Sequence, residues 1–431
     1  VKILITNTVS LNGGDAAILY AEIDLLQAAF GQKIQFTIYD SQPEIASQYY
    51  PNLKFRKLIY WSITETRANK YLQRTLQKAK LFRFRLAVRS WHQGRQWLAK
   101  LLLPQAELQD LIEYSSADLI VSTGGTILVE NYWLEPRIFD YEVSLDLEKP
   151  LVLFTQSLGP FSVPANCQAL KPIFEKAILI LLRDRKSQKH LYEIGVQNPN
   201  IYVTSDAVFA LANPTFVQQA IAGKKPTHPR LKVVISVRDW QYFKRQDPGI
   251  GMQKYIEALR ALSIHLVEKH GAEIVYISTC QGIPEYWTND SMTAWKIVEA
   301  LPENIRTSVS VDTDFHSPTA LAEIVKNYDF VIATRLHMAI LALGVGTPVL
   351  PIAYEFKTQE LFAKFGLKSW VQDIEDICPN SLIETVDSFL DSLPQICQQL
   401  FESVEQERQQ ALESSRLVRE AFEKWQKLQM K

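Results

Sequence analysis

The chain has 431 residues, 47% of them hydrophobic and 22% charged, with a formal net charge of −1. That length exceeds one ordinary core, so two domains of similar size are expected. The balanced charge leaves no global field for nucleic acid, and no apolar run approaches the roughly 20 residues that span a bilayer.

Short β-like apolar runs are expected at 2–7, 34–39, 118–122, 151–156, 177–182 and 201–204 in the first half. In the second half they fall at 232–237, 273–278, 308–311, 330–333, 348–352 and 370–373. Helical stretches separate them. Near-continuous apolar strands alternating with helices predict parallel sheets covered on both faces, and six strands per half predict two Rossmann-like α/β domains. The proline-rich stretch 212–230 marks the boundary, giving a first domain at 1–212 and a second at 230–393. The glycine-free tail 394–431 reads as a polar helix packing back on the first domain.

The N-terminal Val1-Lys-Ile-Leu-Ile-Thr6 reads as a strand rather than a signal peptide. Cys167, Cys280, Cys378 and Cys397 are scattered, without CxxC or metal-ligand spacing, and read as reduced thiols of a cytosolic protein. No metal is expected. A helical insertion at about 61–110 breaks the α/β pattern. Between Trp61 and Lys100 it holds ten Lys or Arg residues and one acid, Glu65, interleaved with apolar side chains. Such a segment suits peripheral contact with an anionic membrane or acceptor, or else packs its apolar face on the first domain.

Several strand-end loops carry polar or charged residues. Asn12-Gly-Gly-Asp15 leads into a helix, where Asp15 would cap the helix or accept from a sugar hydroxyl. It has neither GxGxxG spacing nor a Walker lysine. Ser122-Thr-Gly124-Gly125 and Gln156-Ser157-Leu-Gly-Pro160 offer hydroxyls, an amide and glycines, the equipment of a polyol site or of ordinary turns. Arg183-Asp184 and Ser205-Asp206 read as capping or interdomain pairs. Arg238 ends a strand, free for a ligand or paired with a neighbouring acid such as Asp239.

The fullest signal is the strand 330–333 followed by Thr-Arg335-Leu336-His337 and an apolar helix. Ligands of α/β sheets bind at carboxyl ends of strands, and a helix start attracts anions. Arginine grips phosphate or carboxylate bidentately, and histidine moves protons near neutral pH. Lys357, after the next strand, would add a positive charge or stay solvated.

Taken in order, Asn12-Gly-Gly-Asp15, Ser122-Thr-Gly-Gly125, Gln156-Ser-Leu-Gly-Pro160, Arg183-Asp184, Ser205-Asp206, Ser236-Val-Arg238, Arg335-Leu-His337 and Gly346-Thr-Pro348 with Lys357 resemble the polysaccharide pyruvyl transferase family. The glycine-rich Ser-Thr-Gly-Gly loop has two glycines where the family often shows three.

That resemblance implies a GT-B-like fold with the active site in the interdomain cleft, phosphoenolpyruvate as donor and a hexose of a glycan or lipid-linked precursor as acceptor. It implies Arg335 and His337 as catalytic, and donor binding by Arg238, Arg335, Leu336, His337 and Lys357. Acceptor binding falls to Asn12, Gly14, Asp15, Gly124, Gly125, Gln156 and Ser157. No obligatory cofactor is expected, and the location is cytoplasmic, at most peripheral to the membrane. Two other readings stay open. One is a nucleotide-sugar glycosyltransferase with Glu355 or Glu360 on the ribose; the other is a non-catalytic sugar-binding relative.

Overall fold

The structure, a computed structural model, describes residues 1–31, 33–65, 70–223 and 228–430, with backbone only for 70–72. Arg67 of the basic insertion and residues 224–227 of the expected boundary lie outside the described residues.

The chain forms two compact units, the first comprising Val1–Ser10, Ile18–Ala207 and Gln410–Lys431. Its strands are β1 (Lys2–Thr8), β2 (Gln35–Asp40), β3 (Phe55–Lys57), β4 (Leu119–Ser122), β5 (Gly125–Leu128), β6 (Leu151–Leu158), β7 (Leu179–Leu182) and β8 (Ile201–Val203). They pair in parallel in the order β3-β2-β1-β4-β6-β7-β8, with β5 on β6. The sheet has eight strands rather than six. The two additions are short: β3 is a half-buried Phe-Arg-Lys, and β5 starts inside the Gly124-Gly125 loop. Neither is an apolar run. β4, β6 and β7 are buried along their whole length because helices cover both faces.

The basic insertion lies between β3 and β4 as the helices Ile59–Thr64, Lys70–His92, Gln96–Leu102 and Gln105–Ser116. Leu81, Phe84, Ala87 and Val88 turn one face of Lys70–His92 into the first core, beside Phe139 and Tyr114.

The second unit comprises Leu11–Ala17 and Val208–Gln409. Its strands are β9 (Lys232–Ser236), β10 (Glu273–Tyr276), β11 (Val309–Val311), β12 (Phe330–Ala333), β13 (Val349–Ala353) and β14 (Gln372–Asp373). They run in parallel in the order β11-β10-β9-β12-β13-β14. This is the doubly wound order whose direction reverses between β9 and β12, the place where such sheets receive ligands. Gly346, at φ +76°, makes the turn from helix Leu336–Gly344 into β13.

Two boundaries differ from expectation. Leu11–Ala17 groups with the second unit although it follows β1 directly, because its Gly-Gly backbone packs on that unit's loops. The C-terminal helix runs unbroken from Pro379 to Gln429 with Pro394 inside it, instead of starting at Pro394. Buried Leu382, Val386 and Phe389 before that proline and Leu400, Phe401 and Val404 after it keep one helical stripe. The segment from Gln410 onward belongs to the first unit, where Phe422 meets Phe30 edge-on at 5.3 Å.

Candidate active site at the strand ends of the second sheet

Four strands of the second sheet end side by side. Behind β12, Arg335 is the extended residue before helix Leu336–Gly344, and its side chain does not cap that helix. It donates instead from Nε and Nη2 to Asp290 at 2.9 and 2.7 Å. Asp290, in the loop after β10, is fully buried and Arg335 is 6% exposed. The same carboxylate accepts from the Ser278 hydroxyl at 2.8 Å, and Ser278 lies 2.9 Å from Ser236 of β9. Burial works against the Arg335 cation, but Asp290 raises its pKa well above the ordinary value. Arg335 is therefore locked charged and oriented, with Nη1 outside the pair.

Arg238, just past β9, is held differently. Its guanidinium carbon lies 4.1 Å from the Tyr354 ring centroid and 4.8 Å from that of Trp240. It makes no ion pair among the described residues, and Asp239 accepts from Gln241 instead. Aromatic faces attract the cation without neutralising it. Burial raises the Tyr354 phenol, while Arg238 and Arg335 both pull it down, so this tyrosine feels both arginines. Lys357 pairs with Glu355 at 3.0 Å.

Asn12-Gly13-Gly14 closes on these loops. A Cβ on Gly14 would sit 2.5 Å from His337 Nδ1, and one on Gly13 only 2.0 Å from the Thr279 carbonyl oxygen. Asn12 Oδ1 accepts from Gly14 N at 3.0 Å and from the Cys280 thiol at 3.5 Å. The glycines thus permit close approach of backbone to His337. Asn12, Gly14 and Asp15, expected on the acceptor side in the first domain, lie in the second unit beside the arginine–histidine loop. The Tyr286 phenol is raised, first by burial and then by Cys280 and Asp15, with Arg335 opposing.

The first unit gathers the remaining expected residues at its own strand ends. Glu22 accepts from Gly124 N and, at 3.0 Å, from the Thr123 hydroxyl. Gly125 has φ +103°. Gln156 is fully buried and donates to the Thr123 carbonyl, and among the described residues its own amide oxygen has no hydrogen bond. Ser157 accepts from Arg183 Nε at 2.7 Å and donates to Asp184 at 2.6 Å. Arg183 also pairs with Asp206, and Asp184 caps helix Arg185–Glu193 through Ser187 N. Ser157 is therefore part of a structural network. Nearby, Asp140 is fully buried among Thr6, Asn7 and Tyr114, and burial lifts its carboxyl to about 6.

Among the described residues, one cluster has metal-ligand spacing: His265, His270 and Asp387. Lys269 occupies the same carboxylate at 2.8 Å, and His270 lies just ahead of β10, at the opposite end of the parallel strands from Arg335.

The family model for polysaccharide pyruvyl transferase matches residues 12–355. The chain belongs to that family. It is accordingly a transferase of the pyruvyl-transfer type that acts on a polysaccharide or glycan. The amylovoran biosynthesis protein AmsJ of Erwinia amylovora is 26% identical over 325 residues, covering 73% of this chain and 75% of that protein. Among solved structures, Anabaena HepE in complex with UDP and glucose aligns with TM-score 0.54 and 12% identity over 97% of this chain and 98% of that one. A UDP-N-acetylglucosamine 2-epimerase from Listeria monocytogenes, described as putative, aligns at 0.53 and 13%, over 95% and 93%. At such identity these likenesses establish the fold alone: this pyruvyl transferase is a two-domain, GT-B-like α/β protein.

Sequence reasoning missed Asp290, Trp240 and Tyr354, which govern the two arginines. Asp290 stands 45 residues before its partner, in a loop with no strand-end signature, so only the fold pairs them. Tyr354 directly follows β13, and its position at a strand end was the one available signal.

Proposed function

We propose that the pyruvyl transferase takes phosphoenolpyruvate as donor and builds a pyruvate ketal on a hexose of an exopolysaccharide or its precursor, releasing phosphate. The observation that carries the donor assignment is the unequal pair of arginines at the β9/β12 switch point. Arg335 is neutralised by Asp290 but keeps a directed Nη1, whereas Arg238 retains its full charge between two rings. Phosphoenolpyruvate carries two anionic groups. Arg238 supplies the uncompensated charge, and Arg335 a fixed donor beside the helix start.

The reaction adds a proton to the enol CH2 carbon, and a sugar hydroxyl attacks the resulting electrophilic carbon. Phosphate leaves with its bridging oxygen, and a second hydroxyl on the same sugar closes the ketal. Acceptor plus donor gives ketal plus phosphate, with no other reactant. His337, beside Gly14 and two residues from Arg335, is the proton carrier for a hydroxyl or for the leaving group, worth roughly 10²–10⁴-fold. Arg238 and Arg335 stabilise the charge on the departing phosphate. Of the acceptor candidates in the first unit, Gly124 N is taken by Glu22 and Gln156 is fully buried, which leaves Gly125. A donor drawn from central carbon metabolism sets the reaction in the cytoplasm.

The test is product analysis by NMR after incubation with phosphoenolpyruvate and hexosides. A ketal carbon bonded to two sugar oxygens is expected. An acceptor recovered unchanged while a nucleotide sugar is consumed would replace this reading with glycosyl transfer. Glu355, a candidate ribose ligand for that reaction, pairs with Lys357.

A further inference from the structure

The helices Lys70–His92 and Gln96–Leu102 pack against each other between β3 and β4, and their outer side resembles no ordinary solvated surface. Phe82 is 71% exposed, Trp97 67% and Leu101 75%, with Leu76 and Leu86 also exposed. On the longer helix Arg74, Lys78, Phe82 and Leu86 follow one another at four-residue steps, and Arg89 lies seven residues after Phe82, so all share one side. On the shorter helix Trp97 and Leu101 are four residues apart, with Lys100 between them. The buried stripe of Leu81, Phe84, Ala87 and Val88 faces the other way, into the core. The exposed apolar side chains are thus surplus to what folding uses.

The cations divide in the same manner. Arg83 pairs with Glu107 and Arg85 with Glu142, both on the first unit's own helices. Arg74, Lys78, Arg89, Arg95 and Lys100 are exposed and make no ion pair among the described residues. Exposed aromatic and aliphatic side chains rimmed by uncompensated positive charge complement one surface in both respects, an anionic lipid bilayer. The apolar groups enter the acyl boundary while Lys and Arg meet the headgroups. Among the described residues no helix is long and apolar enough to cross a membrane; the contact proposed is one of lying on the surface.

We propose that this hairpin docks the protein peripherally on anionic membrane through Phe82, Trp97 and Leu101, steered by Arg74, Lys78, Arg89, Arg95 and Lys100. Docking of this kind holds the enzyme where membrane-anchored glycans are presented. It is independent of the donor.

The experiment is co-sedimentation of the full chain with phosphatidylcholine vesicles, with and without about 30% phosphatidylglycerol, at about 0.1 M salt. Binding is expected to the anionic vesicles only. The triple variant Phe82→Ser/Trp97→Ser/Leu101→Ser should bind at least about tenfold more weakly, and Arg74→Glu/Lys78→Glu/Arg89→Glu should abolish binding. All six positions are exposed, so unchanged circular dichroism is expected in both variants. No binding of the unaltered chain to anionic vesicles overturns the proposal. Binding undiminished in the triple serine variant overturns it equally, since charge alone would then explain adhesion.

Discussion

Asp290 holds Arg335 through two parallel hydrogen bonds of 2.9 and 2.7 Å, and both side chains are withdrawn from water. The pair turns a flexible cation into a fixed one. Removing one partner from a buried pair is costlier than never having made it. Asp290→Asn should lose about 3–5 kcal/mol of stability by denaturant unfolding, and activity should fall at least about tenfold, since 1.4 kcal/mol of misplacement suffices. An unaltered unfolding midpoint would contradict the geometry. Arg335→Lys keeps the charge but cannot make the fork, and should resemble Asp290→Asn in activity.

Gly14 and His337 are matched by space. A methyl at Gly14 meets the imidazole at 2.5 Å, so Gly14→Ala should displace His337 while leaving the fold intact. Turnover should drop with little change in donor KM. Gly13→Ala confronts a backbone oxygen at 2.0 Å and should instead lower stability, by about 1–3 kcal/mol. Calorimetry beside steady-state kinetics separates the two outcomes.

Arg238 should govern donor affinity. Arg238→Ala is expected to raise the KM for phosphoenolpyruvate more than tenfold, at roughly 1.4 kcal/mol per decade. Tyr354→Ala should follow in the same direction through loss of a cation–π face worth about 0.5–2 kcal/mol. Tyr354→Phe keeps that face and should change KM little. Equal damage from both tyrosine variants would point to the hydroxyl instead.

Asp140 sets a pH dependence of stability. Its folded pKa of about 6 stands above the ordinary aspartate value of about 3.9, because burial disfavours the carboxylate. The folded state therefore binds more protons in that window, and stability falls as pH rises from about 4 to 6, by at most on the order of 3 kcal/mol. Asp140→Asn removes the titration. The difference in unfolding free energy between the two proteins should shift in favour of the variant as pH rises. A difference independent of pH would contradict the raised carboxyl.

Much of the architecture was legible because buried parallel strands are apolar runs and their parallel direction follows from alternation with helices. β3 and β5 were not, since a three-residue strand containing arginine and lysine and a strand opening at glycine carry no such run. In the site, Arg238, Arg335, His337 and Lys357 stand at adjacent strand ends, a position that sequence spacing already encodes. Their electrostatic ranking was hidden, because Asp290, Trp240 and Tyr354 meet the arginines only in three dimensions. Asn12-Gly-Gly-Asp15 could be read as a strand-end loop, but a sequence does not say which domain such a loop packs upon.

The most direct test of the account is phosphate release from phosphoenolpyruvate with a panel of hexosides and lipid-linked sugars, run beside Arg238→Ala and His337→Ala. Release is expected to require an acceptor, to lose donor affinity with Arg238→Ala and to slow at saturation with His337→Ala. Release that ignores the acceptor, or that both variants leave unchanged, would contradict it.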